Sequence, residues 1–171
     1  MDRPEIVIQV ASRAEAAEIL SSPSQCAEVE CLVSIGHGED QLPAGYNNVP
    51  RKLRLLVADV NTEEGASEAD VWKIIELTES IQRLSGKVLI HCEAGVSRSP
   101  AAALIMYACW LGPGQEAEAM RRVLAQRPMA IPNRRMVQLA DKILGRSGRL
   151  LGVLPDLPDQ IADREVIAVN T

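Results

Sequence analysis

A fully apolar strand pattern and a helix pattern apolar nearly all round lie seven residues apart in this chain. The first is KVLIH, Lys87 to His91. The second runs from Ser99 to Leu111, and its stretch Ala101 to Leu111 holds only aliphatic, aromatic, Met and Cys residues. A strand apolar on both faces needs a covering layer on each. A helix apolar all round belongs at the centre of a molecule. The two together demand a layered α/β arrangement.

The remaining patterns agree. IVIQV (Ile6 to Val10), CLVSI (Cys31 to Ile35) and LRLLVA (Leu53 to Ala58) read as further strands. A helix over Ser12 to Leu20 opens with Ser12 and Glu15 spaced as a capping box. Another spans Ser67 to Leu84, where Val71, Ile74, Ile75, Thr78, Ile81 and Leu84 share one face. Helices over Ser99 to Leu111, Gln115 to Gln126 and Asn133 to Leu144 fill the C-terminal half. The predicted fold is α/β, with a central, mostly parallel sheet of four to five strands, helices on both faces and a helical C-terminal half. Residues 1–150 read as one domain. Residues 151–171 read as an unassigned tail, whose VIAV (Val166 to Val169) would add to a sheet edge or pack on the body.

Composition narrows the function. The net charge of −5 argues against a nucleic-acid partner. No apolar run approaches the roughly 20 residues of a membrane helix, and the opening MDRPEIVIQV lacks the apolar core of a signal peptide. Cys26, Cys31, Cys92 and Cys109 include no C-x-x-C pair. Free thiols and a cytoplasmic location are expected, with no membrane partner.

The chemistry sits in HCEAGVSRSP, His91 to Pro100. A loop from strand end to helix start turns backbone N–H groups inward, and the helix N-terminus adds positive charge. Glu93, Ala94, Gly95, Val96 and Ser97 would form an anion cradle about the size of one phosphate. Glu93 is expected to point outward, and Ser97 to bond either the loop or the anion. Gly95 permits the turn and the close approach. Arg98 supplies a planar fork for two oxygens. The same field favours the thiolate of Cys92, placing a nucleophile at the cradle floor. His91 is expected to be buried and bonded to the loop, fixing its shape. Ser99 can donate to the sulfur.

This H-C-x-x-G-x-x-R-S string resembles the signature of the cysteine-dependent protein tyrosine phosphatases, and A-G-x-S-R-S-P resembles their compact dual-specificity branch most. The likeness covers roughly residues 30 to 145, including RPMAIPN (Arg127 to Asn133). It implies a catalytic domain over residues 1–150 and hydrolysis of a phosphomonoester through a phosphocysteine. The implied substrate is first phosphotyrosine, then phosphoserine and phosphothreonine, in proteins. The resemblance implies no metal and no organic cofactor. It also implies an aspartate acid about thirty residues before the cysteine. Asp59 stands 33 residues before Cys92, with Asp40, Glu63 and Glu64 as alternatives.

Other readings stay open. The site would also suit a small phosphorylated metabolite. A phosphoinositide is disfavoured by the absence of Lys from the loop. A rhodanese-like sulfurtransferase or a non-catalytic phosphate-binding module would use a similar cradle. The chain has no Phe, so a deep aromatic cleft is not expected, and Tyr46 is the one candidate for an aromatic wall. His37 reads as a turn residue on a rim loop, and Arg134 and Arg135 as solvated surface or a draw for acidic substrates. Cys31 and Cys109 read as core. Cys31 opens its strand and so stands about 15 Å from the far end.

Overall fold

The computed structural model describes residues 6–38 and 42–155. Asp40 and the VIAV segment fall outside them. Four strands, β1 (Ile6–Ala11), β2 (Val29–Gly36), β3 (Lys52–Leu56) and β4 (Gly86–His91), form one sheet in the order β1-β4-β2-β3. Every pairing is parallel. The expected α/β architecture is therefore present, with four strands rather than five among the described residues.

Side chains alternate across the strands, as pleating requires. Ile8, Val10, Cys31, Val33, Ile35, Val88 and Ile90 enter the larger core cluster. Leu32 and Leu89, one residue out of phase, enter a second. The two clusters mark the two faces. Helix α1 (Arg13–Ser21) and the short α2 (Pro23–Cys26) cover the smaller one, with Ala16 and Leu20 buried there. Helices α3 (Glu68–Ile81), α4 (Arg98–Leu111), α5 (Glu116–Gln126) and α6 (Arg134–Ile143) pack on the larger one. The topology explains the division. The β1 to β2 and β3 to β4 crossovers travel in opposite directions, so right-handed connections place their helices on opposite faces.

Helix starts follow the sequence closely. Ser12 with Glu15, and Ser67 with Asp70, form complete capping boxes. Asn133 accepts from the Met136 amide at 3.0 Å. Helix α4 is central as expected, with Ala101 to Ala108 all buried. Helix α3 stops at Ile81, three residues short of the predicted end, although Leu84 still packs on the core. Helix α2 was not expected; at four residues it is too short to show a period, though Ser22 before Pro23 is a start signal. Past α6, Asp141 accepts the amides of Gly148, Leu150 and Leu151, and Leu151, Val153 and Leu154 pack on the core. Among the described residues no helix is long and apolar enough to cross a membrane.

Candidate active site

The last row that spans all four strands fixes the site from below. Ala11 and Ser34 are both register partners of His91, and Arg54 is the partner of Ser34. Polar groups in a buried row must satisfy one another, and three of these four do. Arg54 donates from Nη1 to Ser34 Oγ at 2.9 Å and from Nη2 to the Gly38 carbonyl at 2.6 Å. Ser34 Oγ lies 2.6 Å from His91 Nε2, and His91 Nδ1 lies 2.9 Å from the Cys92 carbonyl. A carbonyl only accepts, so Nδ1 carries the proton. Nε2 of the neutral ring then accepts from Ser34.

His91 is fully buried, as expected. Burial lowers its pKa below the ordinary value near 6.5, and Arg54 and Arg13 add to the effect against opposition from the Cys92 carbonyl and Glu93. The folded chain therefore resists a proton that the unfolded chain accepts. The stabilising contribution is complete above about pH 6.5 and is lost as pH falls toward the lowered folded value. The slope reaches at most about 1.4 kcal/mol per pH unit for this one proton. Urea melts at stepped pH should show wild type losing more stability below pH 6.5 than His91→Asn.

Cys92 leaves β4 buried, at 2% exposure, with Sγ 3.0 Å from Ser99 Oγ. The loop after it has a consistent polarity. The Cys92 carbonyl meets His91, and that of Glu93 accepts from the Arg13 amide at 3.0 Å. Those of Ala94 and Gly95 accept from the Arg127 side chain. The Val96 carbonyl takes the Ile131 amide at 2.8 Å, and that of Ser97 takes the Asn133 amide at 3.0 Å. In a trans peptide the carbonyl of one residue and the N–H of the next point opposite ways. Six carbonyls drawn outward thus turn the amides from Glu93 to Arg98 inward. Among the described residues none of these amides meets an acceptor. Gly95 sits at φ 71°, in the left-handed region where a side chain is strained.

The helix end adds to this field. Ser97 is the N-cap of α4 but makes no capping bond. Its hydroxyl instead donates to Asp59 Oδ1 at 2.6 Å. The first amides of α4 are left to the cradle. Arg98 is 7% exposed and donates from Nη1 to the Val57 carbonyl at 2.8 Å. Its Nε is buried without a partner. Asp59, exposed beyond β3, is held over the loop. Its Oδ1 also accepts from Asn133 Nδ2 at 3.0 Å, and among the described residues Oδ2 meets no donor.

The structure thus brings together Cys92, Arg98, Ser99, His91, Asp59 and the loop residues Glu93 to Ser97. Glu93 points outward to Arg13, at 3.2 Å. Glu63 and Glu64 are exposed. Tyr46 packs with the α1 and α2 cluster, with Lys52 Nζ 5.2 Å above its ring. Arg135 is bound internally, its Nε donating to the Ala66 carbonyl at 2.6 Å. Cys31 lies in the core and the half-buried Cys109 packs against that core, and burial pushes both thiols up to about 11. Sequence reasoning missed Arg54, Ser34, Arg127 and the second role of Asn133. A serine within the apolar CLVSI was the available signal, because a buried hydroxyl needs a partner.

No family model and no curated protein matches the chain by sequence. Solved structures do match. Human DUSP28 is 23% identical, with 83% of this chain and 92% of its own covered at a TM-score of 0.63. The human tyrosine phosphatase-like serine/threonine/tyrosine-interacting protein is 20% identical, covering 80% and 89% at 0.66. PTPMT1, solved in complex with PI(5)P, is 16% identical, covering 85% and 97% at 0.62. The chain shares the protein tyrosine phosphatase-like fold of these structures.

Proposed function

We propose that the protein hydrolyses phosphomonoesters through a phosphocysteine, acting on phosphotyrosine in proteins and also on phosphoserine and phosphothreonine. The observation that carries this reading is the cradle above Cys92. The loop that follows Cys92 has six amides turned away from its outward-held carbonyls, and the arginine that closes it has a buried nitrogen without a partner. Such a site favours a tetrahedral oxyanion. The catalytic unit is placed in residues 1–150.

In the proposed reaction the Cys92 thiolate attacks phosphorus and the P–O ester bond breaks. The leaving oxygen takes its proton from Asp59 Oδ2. Asp59 then takes a proton from water as that water attacks the phosphocysteine. Inorganic phosphate leaves, and the thiolate returns with a hydrogen bond from Ser99. Arg98 and the loop amides hold the equatorial oxygens throughout.

The test is hydrolysis of aryl phosphates, phosphopeptides and inositol phospholipids, with thiosulfate:cyanide transfer as the control. Sulfur transfer without phosphate release would reverse the reading in favour of a rhodanese-like enzyme. The neighbour bound to PI(5)P makes a phosphoinositide the second reading, against which stands a loop with Glu93 and no Lys. Asp59→Asn should lower kcat on the order of 10²- to 10³-fold for leaving groups of high pKa, and much less for good ones. An equal loss for both would move the acid role to another residue.

A further inference from the structure

Arg127 lies outside the loop, 29 residues beyond Arg98, yet holds its middle. Its Nε donates to the Gly95 carbonyl at 3.1 Å and its Nη2 to the Ala94 carbonyl at 3.2 Å. Its Nη1 faces both oxygens of Glu15, at 3.0 Å each. The side chain is 13% exposed. Each end of this bridge is anchored. Arg127 is the C-cap residue of α5, its amide bonded to the Val123 carbonyl at 2.9 Å. Glu15 belongs to the capping box of α1 and accepts the Ser12 amide at 3.2 Å.

The bridge bears on the reacting group through peptide geometry. Holding the Ala94 carbonyl outward turns the Gly95 amide inward, and holding the Gly95 carbonyl outward does the same for Val96. Two of the six inward amides thus depend on one guanidinium. A planar fork suits this task, because it can meet two adjacent carbonyls and a carboxylate in one plane. The back of the loop is also close-packed. A Cβ on Gly95 would strike Arg127 and come within 2.9 Å of the Ala11 and Ser12 backbone.

We propose that Arg127, seated by Glu15, is a positioning residue for the phosphoryl group, acting through the Gly95 and Val96 amides. This rests on the reading of the protein as a phosphoester hydrolase. Because the two amides face the non-bridging oxygens, the effect falls alike on all leaving groups, unlike that of Asp59.

The test compares wild type with Arg127→Met, Arg127→Lys and Glu15→Gln. Three quantities are measured: arsenate affinity by protection of Cys92 from alkylation, kcat/KM over a series of aryl phosphates, and amide order parameters of Gly95 and Val96. In Arg127→Met, arsenate affinity and kcat/KM should fall roughly 10- to 100-fold with an unchanged leaving-group dependence. The order parameters of both amides should drop. Arg127→Lys should recover only part of the loss, and Glu15→Gln should fall between wild type and Arg127→Met. Wild-type arsenate affinity in folded Arg127→Met overturns the proposal, as does a steeper leaving-group dependence. If Arg127→Met does not fold, the same outcomes are read from Arg127→Lys and Glu15→Gln. If wild type itself neither binds arsenate nor cleaves any phosphoester, the proposed function fails. The order parameters then decide the positioning role alone, and unchanged values in the variants overturn it.

Discussion

Cys92→Ser should reduce turnover of an aryl phosphate by at least about 10⁴-fold while leaving arsenate or phosphate binding near the wild-type level. The magnitude follows from removing the atom that forms the covalent intermediate in the proposed reaction. A serine hydroxyl in the same place is not ionised at neutral pH and is a far weaker nucleophile. Binding should survive because the cradle is built from groups other than the sulfur. Its amides are oriented by His91, Arg13, Arg127, Ile131 and Asn133. Steady-state kinetics beside isothermal titration with arsenate checks both halves. A variant that still turns over near the wild-type rate would remove Cys92 as the nucleophile. One that loses anion binding as well would make the sulfur part of the binding site.

Arg98→Lys should lower kcat/KM on the order of 10³-fold, with a large part of the loss in anion affinity. One guanidinium nitrogen is committed to the Val57 carbonyl, and Nε stands buried with no partner. A buried cationic group with an open donor is costly until an anion meets it. The guanidinium fork is therefore ready for two oxygens at once. Lysine keeps the charge but presents a point instead of a fork. It also cannot hold Val57 and the anion in the same plane. Vanadate inhibition should weaken in parallel with kcat/KM. Wild-type vanadate affinity in the Arg98→Lys variant would show that charge alone suffices there.

The fold was legible because its central strands β2 and β4 are largely apolar on both faces and helices α1, α3 and α6 open on capped starts. β4 and α4 needed only their own residues to be recognised. The floor of the site was legible too, since His91 to Ser99 lie in one contiguous string. What lay hidden came from segments distant in sequence. Nothing local to Arg127 marks it as a partner of Ala94, and nothing local to Arg54 points to Ser34. Ser97 was expected to bond either the loop or the anion, but a carboxylate 38 residues earlier takes its hydroxyl. A charged acceptor makes the stronger bond. Asn133 was readable as a helix start, yet its amide nitrogen also reaches Asp59, and only the tertiary structure shows that.

Cys31 and Cys109 bear on how the protein would survive peroxide. A thiol held near 11 is about one part in 10⁴ ionised at neutral pH, so neither Cys31 nor Cys109 offers a ready nucleophile to a sulfenic acid. Cys26 precedes the first residue of β2, at the end of the sheet opposite Cys92. An oxidised Cys92 would find no internal thiol to condense with among the described residues, and its recovery would fall to a small reductant diffusing in from solution.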